Sequence, residues 1–487
     1  MPGDHQYVIG IDVGTGGVRT LAVRAGGEVA AGASVPFDPS VLTPQKDRHE
    51  QAPEAWWKAL CQATSQLAAK LEAAGIAGGE LAGLAVDGTS GTIAALDGSG
   101  NPLRPAIMYN DPRATWEADE LNRTAGDFCL KLGYRFNASY ALAKIAWIKR
   151  HEPEIFRRAA HFVHQADYVV GRLINNPKVS DYSNSLKTGY DLVEERWPAW
   201  IDEAVGLGGR LPEVFAPGTR VGAVSAKAAS ETGLPEGLPV MAGATDGTAA
   251  FLASGARRPG DYNTTLGTTL VFKGISRDIC RHPDGLVYCH KLPGGLWLPG
   301  AASNTGTEWI NQRYPGGYPH TLDAEAARHL PCDVLAYPLA RKGERFPFLA
   351  ANADGFCTPH TDDAAFLHAA YLQGTAFVER LAYEVMDVVS RSLGGEIYST
   401  GGGVRNDLWL QCRADVTGRN LHRPACAESA FGSAVLAAAG TIHRGWDRAV
   451  QAMVKVERAF RPHSERREKY DQLYQAFCGE LKRRGYL

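Results

Sequence analysis

Cysteine is sparse in this chain, and what there is stands scattered. The 487 residues include 9 cysteines, an odd number with no CxxC pair. That pattern excludes a disulfide framework and a paired-thiolate zinc site, and it fits a reducing cytosol. Charge of one sign is also lacking. The formal net charge is −2, so no global field points toward nucleic acid or an anionic membrane. No apolar run approaches the roughly 20 residues that span a bilayer. The opening MPGDHQ has no basic region and no cleavage pattern, so no signal peptide is expected and a cytoplasmic location is. Short tandem repeats and low-complexity tracts are absent. So are a GxxxxGK[ST] phosphate loop and a glycine turn that runs into a helix, the dinucleotide fingerprint. What remains is ordinary globular composition, 45% hydrophobic and 21% charged, at a length that predicts two or more domains.

The informative stretches combine glycine with hydroxyls and carboxylates. VIGIDVGTGGVRTLAV, from Val8 to Val23, reads as strand, glycine turn, strand. Its turn offers bare backbone N–H groups of the kind that cradle phosphate. Thr15 adds a hydroxyl, Gly16 an open backbone and Arg19 a charge. Asp12 would repel a bare phosphate, but it fits if a divalent cation lies between them. A tight hairpin with Asp12 bonded to nearby N–H groups explains the same letters. A third strand over 28–37, a helix from Pro53 to Gly75 and a buried strand ending at Asp87 and Gly88 complete an α/β unit.

A similar plan returns after residue 250. Strand, Thr/Gly turn and strand run from Tyr262 to Gly274, a hairpin is expected around Gly294 and Gly295, and helical stretches fill 363–393 before the strand EIYSTGGG. The pattern suggests an internal two-fold likeness. TTLGTTLVF supplies a second phosphate-type turn at Gly267 and Thr268. STGGGVRND lays bare backbone at Gly401, Gly402 and Gly403, where a flat ring or ribose could approach, with Asn406 in bonding reach. The small-residue helix in AESAFGSAVLAAAG is expected to pack under that site. In MAGATDGTAAFLASG a strand ends and Asp246 stands at its tip. It is either a helix cap or a base that accepts a hydroxyl proton. VDGTSGT, MYNDPR and KGERFP carry the dense hydrogen-bonding groups that polyols bind.

In order, DVGT, DGTSGT, YND, GATDG, LGTT and GGGVRN resemble the FGGY family of carbohydrate kinases, within the actin, sugar kinase and Hsp70-type ATPase superfamily. The likeness runs from Val8 to about Gly440. It implies an α/β fold of two ribonuclease-H-like domains around a central cleft, 1–250 on the sugar side and 251–487 on the adenosine side. It implies ATP and Mg²⁺ as cofactors, a small sugar as partner, and neither nucleic acid nor membrane; a homodimer is the assembly kept in view. Carried across residue by residue, Asp12 and Asp246 fall on the metal side. Thr15, Gly16, Arg19, Gly267, Thr268, Gly306, Thr307, Gly401, Gly402, Gly403 and Asn406 fall on the nucleotide. Ser90, Gly91, Asn110, Asp111, Asp246 and Glu344 fall on the sugar, and Asp246 matches the catalytic base. The closest branch is the pentulose kinases. Xylulose kinases of the family usually carry Met-His-Gly where this chain has Thr89, Ser90 and Gly91, so the resemblance points to D-ribulose phosphorylated at C5, with D-xylulose as the alternative. A non-catalytic actin-like or chaperone-like ATPase is the rival class.

Overall fold

The computed structural model describes residues 6–42, 47–392 and 394–487. Five residues of the polar N-terminal stretch, 1–5, and residue 393 at the end of the expected helical run lie outside the described residues. The chain divides into two units. The first comprises Met1–Ala253, His290–Gly295 and Cys426–Lys455, and the second Ser254–Cys289, Leu296–Ala425 and Val456–Leu487.

In the first unit, strand Tyr7–Val13 turns at the glycines and pairs antiparallel with Gly17–Arg24, which in turn pairs with Val29–Pro36. Helix Pro53–Ala73 then crosses over. Proline at its first position suits the orphan N–H of a helix start, and Trp56, Leu60, Ala63, Leu67 and Leu71 recur at helical spacing on its buried face. The chain returns as strand Leu81–Gly88, parallel to the first, with Asp12 beside Asp87. Strand Pro239–Thr245 lies parallel on its far side, and Arg220–Ala223 closes the edge antiparallel. A small second sheet joins Glu50–Gln51, Ala106–Ile107, Ile93–Leu96 and His161–His164.

The helix Ser429–Thr441 differs from expectation. It packs on the first unit's strands Tyr7–Val13 and Leu81–Gly88, whereas the triple glycine of residues 401–403 belongs to the second unit. Small residues make that approach possible. A Cβ at Gly10 would fall 1.7 Å from the Ala430 carbonyl oxygen, and one at Gly432 would fall 1.8 Å from that of Ala249. A boundary drawn once along the chain near 250 therefore misses a returning helix.

The second unit repeats the plan. Tyr262–Leu266 and Leu270–Gly274 form the hairpin, and Trp297–Ala302 extends it antiparallel. Ile397–Thr400 and Leu421–Pro424 add in parallel, and Val456–Phe460 closes antiparallel. Three antiparallel strands, two parallel additions and one antiparallel edge occur in both sheets, so the two-fold likeness is real at the level of topology. The expected long helix is Ala364–Ser390, capped by Asp363, whose side chain accepts the Phe366 N–H at 2.9 Å. Among the described residues no helix is long and apolar enough to cross a membrane.

Candidate functional site

The three parallel strands of the first unit all end at one edge of the sheet. Val13 registers with Gly88, and Gly88 with Thr245. Beyond those residues lie the glycine turn of 14–17, the turn of 88–91 and Asp246. Carboxyl ends of parallel strands are where open α/β sheets bind ligands. The edge is acidic. Asp87 is fully buried, and its Oδ2 accepts Ser433 Oγ at 2.6 Å. Burial and then the charge of Asp12 push its carboxyl well above the ordinary range, with Asp246 adding to the push. Burial also raises Asp12. Asp246 opens helix Asp246–Ser254, is half-buried, and accepts the N–H of Gly247 at 2.6 Å. Among the described residues, no group of three or more His, Cys, Asp or Glu side chains is arranged to hold a metal. Magnesium needs no such group, because it keeps several waters and binds one or two carboxylates together with phosphate oxygens. Asp12 and Asp246 fit that donor set.

The first turn is held open by its carbonyls. Gly17 accepts from Gly14 N–H at 3.0 Å, Gly16 from Phe37 N–H at 2.9 Å, and Thr15 from Gln51 Nε2 at 2.8 Å. Thr15 and Gly16 are exposed, and a Cβ at Gly16 would meet nothing within 4 Å. Arg19 pairs with Glu428 at 3.1 Å.

On the sugar side, Gln165 Oε1 accepts both N–H and hydroxyl of Thr89, at 2.9 and 2.6 Å. Gly91 takes φ +89°, and a Cβ there would stand 2.2 Å from the Ser139 carbonyl oxygen, so glycine is required. Ser90 Oγ is buried with no hydrogen-bond partner; a ligand reaches it only if the turn shifts. Asn110 is exposed. Asp111 is buried and accepts from His49 N–H at 2.6 Å and from Arg113 Nη2 at 2.6 Å and Nε at 2.8 Å. Burial alone would raise its carboxyl, but these donors outweigh that and hold it below the ordinary range.

The second unit carries the other expected residues. Gly267 and the exposed Thr268 form the hairpin turn, laced to the next loop by Thr307 N–H on the Gly267 carbonyl at 2.8 Å. A Cβ at Gly306 would lie 2.3 Å from the Thr268 carbonyl oxygen. Gly401 has φ +92° against Leu266, while Gly402 faces open space. Thr307, Asn311, Tyr318, Gly402, Gly403 and Asn406 help line a cavity of about 310 Å³, at the small end of ligand pockets. Two residues act differently from expectation. Asn406 caps helix Asp407–Thr417, its Oδ1 accepting Trp409 N–H at 2.9 Å while Nδ2 donates to Asp323, so it shapes the cavity wall. Glu344 is buried and accepts from Ser303 Oγ, Thr305 Oγ1, Tyr337 OH and the N–H groups of Asn304 and Arg345. Five donors fill the roughly four lone-pair directions of a carboxylate, so Glu344 holds loop 303–307 and has no acceptor left for a sugar hydroxyl.

Several supporting residues gave no signal in the sequence. Gln51 and Gln165 hold the turns just described. Glu379 and Arg413 form a buried pair, Nε to Oε2 at 2.6 Å. Glu379 also accepts from Thr264 Oγ1 and Arg413 donates to Ser399 Oγ, each at 2.6 Å. The pair thus fixes the two strands that lead to Gly267 and Gly401.

This arrangement, two topologically alike units with Gly/Thr turns and an aspartate at a strand tip, is that of a sugar-kinase fold. The chain belongs to the FGGY family of carbohydrate kinases: the family's N-terminal domain model matches residues 7–253 and its C-terminal domain model 262–441. It is 26% identical to a xylulose kinase of Bacillus subtilis strain 168 over 97% of this chain and 96% of that protein. It is 28% identical to a xylulose kinase of Escherichia coli K12 over 85% of each. Among solved structures, a xylulose kinase from Rhodospirillum rubrum superposes with TM-score 0.86 at 28% identity, covering 98% of both chains. Plasmodium falciparum glycerol kinase with ADP shares the fold alone, at TM-score 0.82 and 15% identity over 98% of each chain.

Proposed function

We propose that this kinase transfers the γ-phosphoryl group of ATP to the terminal C5 hydroxyl of a ketopentose. The observation that carries the reading is the gathering of Asp12, Asp87 and Asp246 with two glycine turns at the carboxyl ends of three parallel strands. In this reading Asp246 accepts the proton of the attacking hydroxyl late in transfer. The turns at 14–17 and 267–268 bind phosphate oxygens through backbone N–H groups, and the cavity beside Gly402 takes the adenosine. Asp12 and Asp246 would hold magnesium, which when bound supplies charge neutralisation on the phosphates. Positioning and charge account for most of the acceleration.

D-Ribulose is the favoured acceptor, because Ser90 replaces the imidazole of the Met-His-Gly pattern. D-Xylulose is the second reading, supported by relatives named xylulose kinase. Asp246→Asn tests the chemistry. It should lower kcat by about 10²–10⁴-fold, the range of a general base, with the affinity for ATP free of magnesium retained in equilibrium titration. Turnover within a few-fold of wild type would reduce Asp246 to a helix-start residue.

A further inference from the structure

Helix Ala141–His151 buries a lysine among Ala141, Leu142, Ile145 and Ile148. Lys144 is 0% exposed, and its Nζ donates to carbonyl oxygens only: Gly91 at 2.9 Å, Ser139 at 3.1 Å and Tyr109 at 3.4 Å. Those three acceptors come from three separate segments, the turn after strand Leu81–Gly88, the loop before the helix, and the loop that continues to Asn110 and Asp111. The same helix presents Trp147 to that last loop, with the Arg113 guanidinium carbon 4.9 Å from the ring centroid.

A buried ammonium is costly, and nature rarely keeps one without a carboxylate bonded to it. Burial first and the charge of Lys187 second lower Lys144 to about 7, with Arg113 acting in the same direction and Asp111 opposing. An apolar side chain would pack here more cheaply. What the ammonium alone provides is three donors that converge on three loops.

We propose that Lys144 is a positioning residue for the sugar: its ammonium ties the turn of Ser90 and Gly91 to the loop of Asn110 and Asp111 and fixes the spacing between them. The proposal rests on the sugar lying between those two loops. The close approach of Gly91 to Ser139, which admits no Cβ, is the geometry the ammonium clamps. Lys144 acts through backbone carbonyls, so its loss should weaken sugar capture and leave the nucleotide untouched.

The test is steady-state kinetics on full-length Lys144→Met, close in shape but without donors, and Lys144→Gln, with two donors on a shorter stem. Both are checked for folding by thermal melting, and the sugar is whichever pentulose the wild type phosphorylates. The expected result is a sugar KM raised at least about tenfold in Lys144→Met and less in Lys144→Gln, with ATP KM within twofold of wild type. An unchanged sugar KM in a folded variant overturns the proposal, and so does a parallel rise in both KM values, which marks general loosening. Should Lys144→Met fail to fold, Lys144→Gln carries the same comparison. Asn110→Ala, run alongside, separates the two layers. If it raises sugar KM and Lys144→Met does not, positioning by Lys144 fails alone; if Asn110→Ala changes nothing, the placement of the sugar fails and the proposal with it.

Discussion

Replacing Gln51 by methionine should unsettle the first phosphate turn and the core beneath it together. Gln51 is 4% exposed. Its Oε1 accepts the indole N–H of Trp56 and its Nε2 donates to the carbonyl of Thr15, each at 2.8 Å. Trp56 is 0% exposed, so in Gln51→Met its N–H has no water to turn to, a loss of about 1–3 kcal/mol. Thr15 is exposed and its carbonyl can hydrate, so that bond contributes about 0.5–1.5 kcal/mol net. Together the change is about 1.5–4.5 kcal/mol, which at just under about 2 °C per kcal/mol for a unit of this size lowers Tm by about 3–8 °C. Because the freed carbonyl belongs to the turn assigned to phosphate, ATP KM should rise severalfold while sugar KM stays near wild type. Calorimetry and steady-state kinetics on the same preparation read both. A melting point within 1 °C of wild type, or a sugar KM that moves while ATP KM does not, would show that Gln51 supports neither Trp56 nor the turn.

Two further outcomes follow from glycine geometry and a buried imidazole. Gly402→Ala has open space for its Cβ, whereas Gly306→Ala drives one to 2.3 Å from a carbonyl oxygen. The first should therefore melt like wild type yet bind ATP more weakly, and the second should lose several degrees of Tm; calorimetry with nucleotide titration separates them. His164 is buried and, by burial first and the charge of Lys144 second, lowered to about 3 from 6.5. Between those values the unfolded chain holds a proton that the folded chain does not, so stability rises with pH across that window and is lost as pH falls from 6.5 toward 3. His164→Gln should flatten that part of the curve, read as urea midpoints of both proteins at pH 4, 5 and 7; parallel curves would count against it.

Local pattern made much of this molecule legible in its sequence. Apolar runs broken by glycine marked the hairpins at 14–17 and 267–269, and a helical pattern opening at Pro53 marked helix Pro53–Ala73. Asp246 stood out because a strand, an acid and a small-residue helix follow one another. The rest depends on contacts distant in sequence. Helix Ser429–Thr441 reads as small and apolar, but nothing local says which sheet it covers. Glu344 sits in a polar loop, KGERFP, and only the fold shows its five donors. Lys144 lies in ALAKIAWIKR, where a lysine reads as surface, and Gln51 in a two-residue strand too short to register as one. Asn406 was visible as a polar residue before a helix, and its capping role follows from that position more simply than a ligand contact does.

Pentulose phosphorylation by ATP is read out by ADP release with Mg·ATP against D-ribulose, D-xylulose, L-ribulose, L-xylulose, glycerol and no sugar. Release should depend on a pentulose and be strongest with D-ribulose. A preference for D-xylulose would keep the mechanism and overturn the reading of Ser90. Equal release with and without every sugar would mean that this chain is no sugar kinase.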